Sequence, residues 1–389
     1  MSETLPEPLV PRYGSASLAE IVPSLMSALG MPGLGNPLGV EPLACVCLLL
    51  IDGLGWQLLR SNAAGAPCLA SLLPSGQALT TGFPATTSAS VTSLGTGRPP
   101  GEHGIVGYPM AIHGHHRPMN TLRWALYGPG PNVDLLPKLP PELLQPQPTL
   151  FEQAQETGIR VIQIGPPFQA RSGLTRAALR GGTFRAAYSI GDLEAEAIEA
   201  LRFGPRTFVY AYHADLDTTG HIRGTFSDSW KLQLAEVDRL AATIAGGLPA
   251  DSALAITGDH GMVDLKIEDR VDVDAHPELM EGVRMLAGEA RSRHVYTHAG
   301  AARGVLQTWR AVLGDRMWVA SREEAIAAGW FGPVVPDRVR PHIGDVVAAA
   351  FGPVGVVQRS VDNGLANMIG HHGSMTAEEQ LVPFLLLRR

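Results

Sequence analysis

Four stretches of the chain are apolar almost without interruption: "ACVCLLLID" (Ala44 to Asp52), "RVIQIGP" (Arg160 to Pro166), "TFVYAYHAD" (Thr207 to Asp215) and "ALAITGDHG" (Ala253 to Gly261). A strand with one wet face alternates between apolar and polar residues. Continuous apolar runs of this length therefore predict strands covered on both faces. Helical patterns lie between them. "TLFEQAQETG" opens on a Thr149…Glu152 capping box and stops at Gly158. "SDSWKLQLAEVDRLAATIAGG" repeats Trp230, Leu234, Val237, Leu240 and Ile244 at helix spacing, which gives one core-facing stripe. Alternating strands and helices predict an α/β fold with a largely parallel central sheet sandwiched by helices. From His276 to about Gly352 the pattern is more mixed ("RHVYTHA", "RMWVAS", "REEAIAAGWFG", "HIGDVVAAA"). It predicts a smaller α+β cap, 276–352, inserted into a single domain spanning 1–389. The proline-dense "GPGPNVDLLPKLPPELLQPQP" predicts an irregular surface connection.

Composition narrows the function classes. With 389 residues, 45% of them hydrophobic, the chain can bury a sizeable core. The net charge of −7 carries no basic footprint, which excludes a nucleic-acid polymer as partner and leaves a small nucleotide open. No segment reaches the roughly 18 apolar residues of a membrane span. The N-terminal "MSETLPEPLVPRYGSASLAE" lacks the basic start and apolar stretch of a signal peptide. Three cysteines make a disulfide framework improbable. The expectation is a cytoplasmic protein with no membrane partner. Nothing in the sequence indicates an oligomeric state.

The chemistry gathers where strands end. The first run finishes in Asp52-Gly53 and the fourth in Gly258-Asp259-His260-Gly261. The third leads into "DLDTTGHIRG" with Asp217 and His221, and "GHHG" stands at Gly370 to Gly373. In an open α/β sheet, ligands collect beyond the carboxyl ends of the strands. Each cluster alone reads as a turn, a cap or a loop; together they put carboxylates and imidazoles on one rim. That donor set suits zinc, with manganese or iron as substitutes. It is large enough for two divalent ions, a pair that spaced about 3.5–4 Å apart clamps a displacement at phosphorus. A further stretch, "GFPATTSASVTSLGTGRPPGEHGIVGY", supplies hydroxyls among small residues.

In order, the chain carries "LLIDGLG", "FPATTSASVTSLGTG", "PPGEHGI", "DTTGH", "GDHGM" and "GHHG". This series resembles the alkaline phosphatase superfamily, specifically its type I phosphodiesterase/nucleotide pyrophosphatase branch, from Asp52 to Gly373. The resemblance implies a metal-dependent phosphoester hydrolase acting on a small-molecule substrate such as a nucleotide. It implies one ion on Asp217, His221 and His372, with His372 rather than His371 at the ligand position. It implies a second ion on Asp52, Asp259 and His260, completed by the hydroxyl of Thr87 as nucleophile. Physical chemistry agrees, because a hydroxyl needs a metal or base to attack, and the small residues Ser88 to Ser93 can start a helix whose N-terminus receives a phosphate. Ser90 stands where the branch places an asparagine that hydrogen-bonds a phosphate oxygen, so Ser90 is a candidate substrate contact and the diester preference is open. The alternatives are a phosphomonoesterase or phosphonate hydrolase of the same superfamily, or a non-catalytic metal- or ligand-binding protein on this scaffold.

Other residues invite attention. "HGHHRP" (His113, His115, His116) reads as an exposed loop, and His103 as structural. Arg291, Arg293, His294 and Arg340 are candidate contacts for a leaving group from the cap.

Overall fold

The four apolar runs form the inner strands of one seven-stranded sheet in the computed structural model, which describes residues 5–389. The first four residues of the expected 1–389 domain lie outside that range. In chain order the strands are β1 (Cys45–Ile51), β2 (Gln77–Thr80), β3 (Arg160–Gly165), β4 (Thr183–Ala186), β5 (Thr207–His213), β6 (Ser252–Gly258) and β7 (Leu381–Arg388). They lie in the order β2-β7-β6-β1-β5-β3-β4. Strands β6, β1, β5, β3 and β4 are mutually parallel, while β7 runs antiparallel to both β6 and β2. Strand β1 shows why its run is continuous. Val46, Leu48 and Leu50 pack into one hydrophobic cluster, and Cys45, Cys47, Leu49 and Ile51 into another on the opposite face. Ile51 pairs with His213 on one side and Gly258 on the other. The three strands therefore end level, at one rim.

Four helices lie around that rim or brace it from behind: α1 (Thr87–Thr96), α2 (Gly173–Ala178), α3 (Asp215–Arg223) and α4 (Asp228–Gly246). The predicted stripe on α4 is wholly buried. Helix α1 is made of small residues, and everything from Ser88 to Thr96 is buried. Its closeness to α2 is set by Gly95: a Cβ there would lie 1.9 Å from the Ala178 carbonyl oxygen. Gly95→Ala must push two backbones apart, so we expect a loss of about 3 kcal/mol, the upper end for overpacking, read as a lower urea midpoint. An unchanged midpoint would show that the helices slide apart freely.

Residues 283–350 build a separate four-stranded antiparallel sheet, Val283–Glu289, Ser292–Thr297, Val346–Ala350 and Met317–Ser321 in spatial order. The helix Ala302–Leu313 packs Val305, Trp309 and Leu313 into the same cluster as Val295 and Val346. A buried two-pronged ion pair ties this region to the chain beyond it, with Arg291 Nε and Nη2 donating to Glu379 at 3.2 and 2.7 Å.

One expectation needs refinement, and one strand went unread. The proline-dense segment is largely irregular and exposed as expected, but it is anchored, for its own Leu135 and Leu144 are buried and the Trp124 indole donates to the Leu139 carbonyl at 2.8 Å. Strand β7 was masked by Pro383, which ordinarily argues against an inner strand. Here Pro383 faces only the short β2, opposite Ala78, and pairing with β6 begins at Phe384.

The segment leading into β7 also laces the rim together. Gly373 accepts from the amide of Ala85 at 3.0 Å, Glu379 from Gly261 at 2.8 Å and Gln380 from Thr81 at 2.8 Å. All three cysteines are free. Among the described residues, no helix is long and apolar enough to cross a membrane.

Candidate active site

The level strand ends deliver their acids to one place. Asp52 follows β1, Asp259 and His260 follow β6, and α3 carries Asp217 and His221 one turn apart on a single face. Thr87 is the first residue of α1, where the backbone donors are unpaired and the helix dipole is positive. Its Oγ lies 3.4 and 3.5 Å from the two Asp52 oxygens and 3.3 Å from His260 Nε2. His221 Nε2 is 3.3 Å from Asp217, and His260 Nε2 is 3.4 Å from Asp52 and 3.6 Å from Asp259. The rings of His260 and His372 stack at 3.6 Å.

Each imidazole is fixed in the same way. Nδ1 of His221 donates to the Gly370 carbonyl at 2.8 Å, that of His260 to Gly261 at 3.0 Å, and that of His372 to Ala85 at 2.7 Å. A carbonyl can only accept, so each Nδ1 carries a proton and each Nε2 is the nitrogen turned toward the carboxylates. Metal-ligating histidines are held in this fashion. The carboxylates are underpaired, with Asp217 Oδ1 and Asp259 Oδ2 buried and lacking any hydrogen-bond partner.

Electrostatics show the resulting stress. Burial, then the charge of Asp52, pushes Asp259 up to about 7. Burial alone would lower His260, but Asp259 and Asp52 overcome it and raise it to about 10. His372 is held well below its ordinary value by burial and by His260 and His221. A cluster of three acids and three imidazoles with orphaned oxygens fits divalent cations. Two groups converge closely enough to hold one: Asp217, His221 and His372, and Asp52, Asp217 and His260. Asp217 thus stands between them. Asp259 is turned partly aside, because its Oδ1 accepts the Gly53 amide at 3.0 Å.

Other sequence-selected residues fall elsewhere. Ser90 is fully buried and its hydroxyl pairs with Thr81 Oγ1 at 2.7 Å, so the structure does not bring it to the cleft. One turn into α1 the helix already faces the core. His371 lies beside the cluster, its Nε2 donating to the Met368 carbonyl at 3.0 Å. His103 is fully buried between Ser93 Oγ and the Ile105 amide, and burial lowers it to about 3, which keeps it neutral. In the HGHHRP loop, His113 and His116 are exposed. The cap-region cations are spent internally: Arg291 on Glu379, Arg293 on the carbonyls of Val356 and Gly288, and Arg340 on Glu323. His294 Nδ1 accepts the Gly344 amide at 3.0 Å.

Sequence patterns gave no hint of Tyr212 or Glu289. The Tyr212 hydroxyl donates to Asp52 Oδ2 and holds that carboxylate in place. Glu289 ends the strand Val283–Glu289, is 5% exposed and accepts the Tyr108 amide at 3.1 Å. Two chambers meet at Thr87. One, of about 260 Å³, is lined by Leu122, Phe168, Leu174, Tyr210 and Tyr212. The other, of about 200 Å³, runs past His221 and His372 to Glu289 and Asp362. Leu122 borders both.

A family model described as type I phosphodiesterase/nucleotide pyrophosphatase matches residues 46–375. No curated protein sequence matches the chain. Among solved structures, murine ectonucleotide pyrophosphatase/phosphodiesterase 5 superposes with a TM-score of 0.67 at 19% identity, with 88% of each chain covered. An inactive variant of that murine protein in complex with AMP gives 0.65 at 18% identity, with 87% of each chain covered. Phosphonoacetate hydrolase from Sinorhizobium meliloti, in complex with phosphonoformate, gives 0.65 at 20% identity, covering 89% of this chain and 90% of that one. At these identities the likeness establishes the fold.

Proposed function

The chain belongs to the type I phosphodiesterase/nucleotide pyrophosphatase family, whose members act on phosphoesters, and on that footing we propose that it hydrolyses small phosphodiesters through Thr87 with the help of two divalent cations. Zinc is the foremost candidate, with manganese or iron as substitutes. The observation that carries this reading is the placement of the Thr87 hydroxyl at a helix N-terminus, within 3.3–3.5 Å of Asp52 and His260. Asp217, His221 and His372 would hold one ion, and Asp52, Asp259, His260 and Thr87 the other. When bound, the pair supplies Lewis acidity that makes the hydroxyl a nucleophile and stabilises charge on the oxygens at phosphorus.

The chain's own residues set the geometry of the reaction. The Thr87 oxygen forms the bond to phosphorus while the bond to the departing alcohol breaks on the far side. Water then displaces the phosphoryl group from Thr87, restoring the hydroxyl. The free amides at the start of α1 face the phosphoryl oxygens. Tyr212 keeps Asp52 oriented, as groups behind metal ligands do. We further read 276–352 as a cap over this cleft. We place the protein in the cytoplasm, where its three free cysteines would stay reduced.

The test compares zinc-loaded protein on bis-p-nitrophenyl phosphate and on p-nitrophenyl phosphate. We expect at least a tenfold preference in kcat/KM for the diester, about 1.4 kcal/mol of differential transition-state binding. A monoester preference would move the protein to the phosphomonoesterase alternative, and no turnover of either would revive the binding-protein reading.

A further inference from the structure

Another cavity shares no lining residue with the two chambers at Thr87. At about 270 Å³ it is as large as either of them and approaches the roughly 300 Å³ where sites for small organic ligands begin. Three parts of the chain meet there: the HGHHRP loop, the proline-dense segment and the stretch leading to the strand Val346–Ala350. Its polar lining is of one kind. Lys138 and Arg338 face it with the imidazoles of His113, His115 and His342, and no carboxylate does. Neither Lys138 nor Arg338 forms an ion pair among the described residues. The acids closest by are taken: Glu102 by Arg98 at 2.9 Å, and Glu142 by Arg176 at 2.8 Å. Burial, then the charge of Arg98, holds the Arg338 guanidinium below its ordinary value. The far wall is aliphatic, with Ile112 and Leu144 buried and Leu143 exposed at the edge.

The wall is also held in place. Arg338 Nη2 donates to the Glu102 carbonyl, and His342 Nδ1 donates to that of Gly104 at 3.0 Å. Side chains anchored in this way need little ordering when a ligand binds. A cleft lined by unanswered cations concentrates anions, and a guanidinium beside an ammonium suits the several oxygens of a phosphate. The aliphatic wall asks for a ligand that also has an apolar body. We infer that this cavity binds a small organic phosphate monoester, its phosphate between Lys138 and Arg338 and its carbon part against Leu143 and Leu144. It is a second anion site, independent of the metal cluster and of the reaction proposed there.

The test is a calorimetric titration of zinc-loaded full-length protein with phenyl phosphate at pH 7.5, where a phosphate monoester carries close to two charges. We expect two equivalents to bind, one at the cations of the cleft and one in this cavity. Chelation should remove the first and leave the second. Lys138→Gln and Arg338→Gln should each weaken the second about tenfold, the scale of a lost hydrogen bond to a charged group. Hydrolysis of bis-p-nitrophenyl phosphate should be unchanged in both. Benzenesulfonate, which keeps the ring with a single charge, and inorganic phosphate, which has no ring, should each bind the cavity about tenfold more weakly than phenyl phosphate. Lys138 is exposed, so Lys138→Gln decides the matter even where Arg338→Gln disturbs the Glu102 carbonyl. A single equivalent that chelation abolishes, a second one indifferent to both substitutions, or benzenesulfonate bound as tightly as phenyl phosphate would overturn the inference. A second equivalent in a protein that turns over no ester would uphold it while the phosphodiesterase reading fell.

Discussion

Zinc-loaded Thr87→Ala protein is expected to hydrolyse bis-p-nitrophenyl phosphate roughly 10,000-fold more slowly than the parent, the scale on which loss of a nucleophile is felt. No neighbouring hydroxyl can stand in. Thr86 is buried at the N-cap, and Ser88 Oγ donates to the Gly107 carbonyl at 3.3 Å, turned away from the cleft. Alanine is a good helix former, so α1 keeps its stability. Two acids and an imidazole remain around the ion nearest Thr87, so metal content should stay close to two ions per chain. Thr87→Ser, which retains a hydroxyl, should recover a large part of the rate. Activity within tenfold of the parent in Thr87→Ala would remove the threonine from the mechanism. Loss of metal and of folded protein together would mark it as structural.

The second large effect concerns the cations. Stripping them with a chelator should abolish hydrolysis, and zinc should restore it. Each ion held at a thousandfold above its Kd adds about 4 kcal/mol of stability. For a chain of this length two such sites correspond to a fall of about 10 °C in Tm on stripping. The metal-free protein should also respond to pH in a particular direction. His260 is raised from 6.5 to about 10 in the folded chain, so its contribution to stability is complete below 6.5 and is lost as pH rises through 10. His372 is lowered instead, so it costs stability only as pH falls below 6.5. Between pH 7 and 9 the first effect is joined by the upper ends of the Asp259 and Glu289 titrations, both raised to about 7 and both acting in the same direction, so the Tm of metal-free protein should fall across that window. In the loaded protein, His260 Nε2 has no proton to lose, and its Tm should stay level. The gap between the two forms therefore widens with pH. A constant gap would show that His260 is not a ligand.

Much of the fold and of the site was legible because strand ends are written locally. Asp52, Asp259 and His260 each follow an uninterrupted apolar run, and the parallel register then forces those runs to finish level. Asp217 and His221 sit one helical turn apart, a spacing plain from the period of 3.6. The residues that the sequence placed differently or left unread differ for reasons of direction or distance. Ser90 lies almost one turn beyond Thr87 and on nearly the same side of the helix, yet one turn further along the axis it is already buried behind the rim, where it meets Thr81. Glu289 ends a strand about two hundred residues from Thr87 in a region without motifs, and an acid at a strand end usually reads as a solvated turn. Only the tertiary fold, through the Tyr108 amide, reveals where it points. Tyr212 was visible as one of two alternating tyrosines in β5, but nothing in the alternation says that its hydroxyl ends on Asp52.

The lacing of the rim by residues 369–380 has a consequence in time. The carbonyls that fix His221 and His372 belong to Gly370 and Ala85, and Ala85 is itself tied to Gly373. Gly261, which fixes His260, hangs from Glu379. A growing chain presents Thr87, Asp52 and Asp217 to solvent long before these partners leave the ribosome, at about 5–20 residues per second. On the proposed mechanism, the nascent polypeptide would hold Thr87 for tens of seconds without the scaffold that positions its partners. Synthesis itself would then act as a safety catch, released when the last stretch before β7 threads into the sheet.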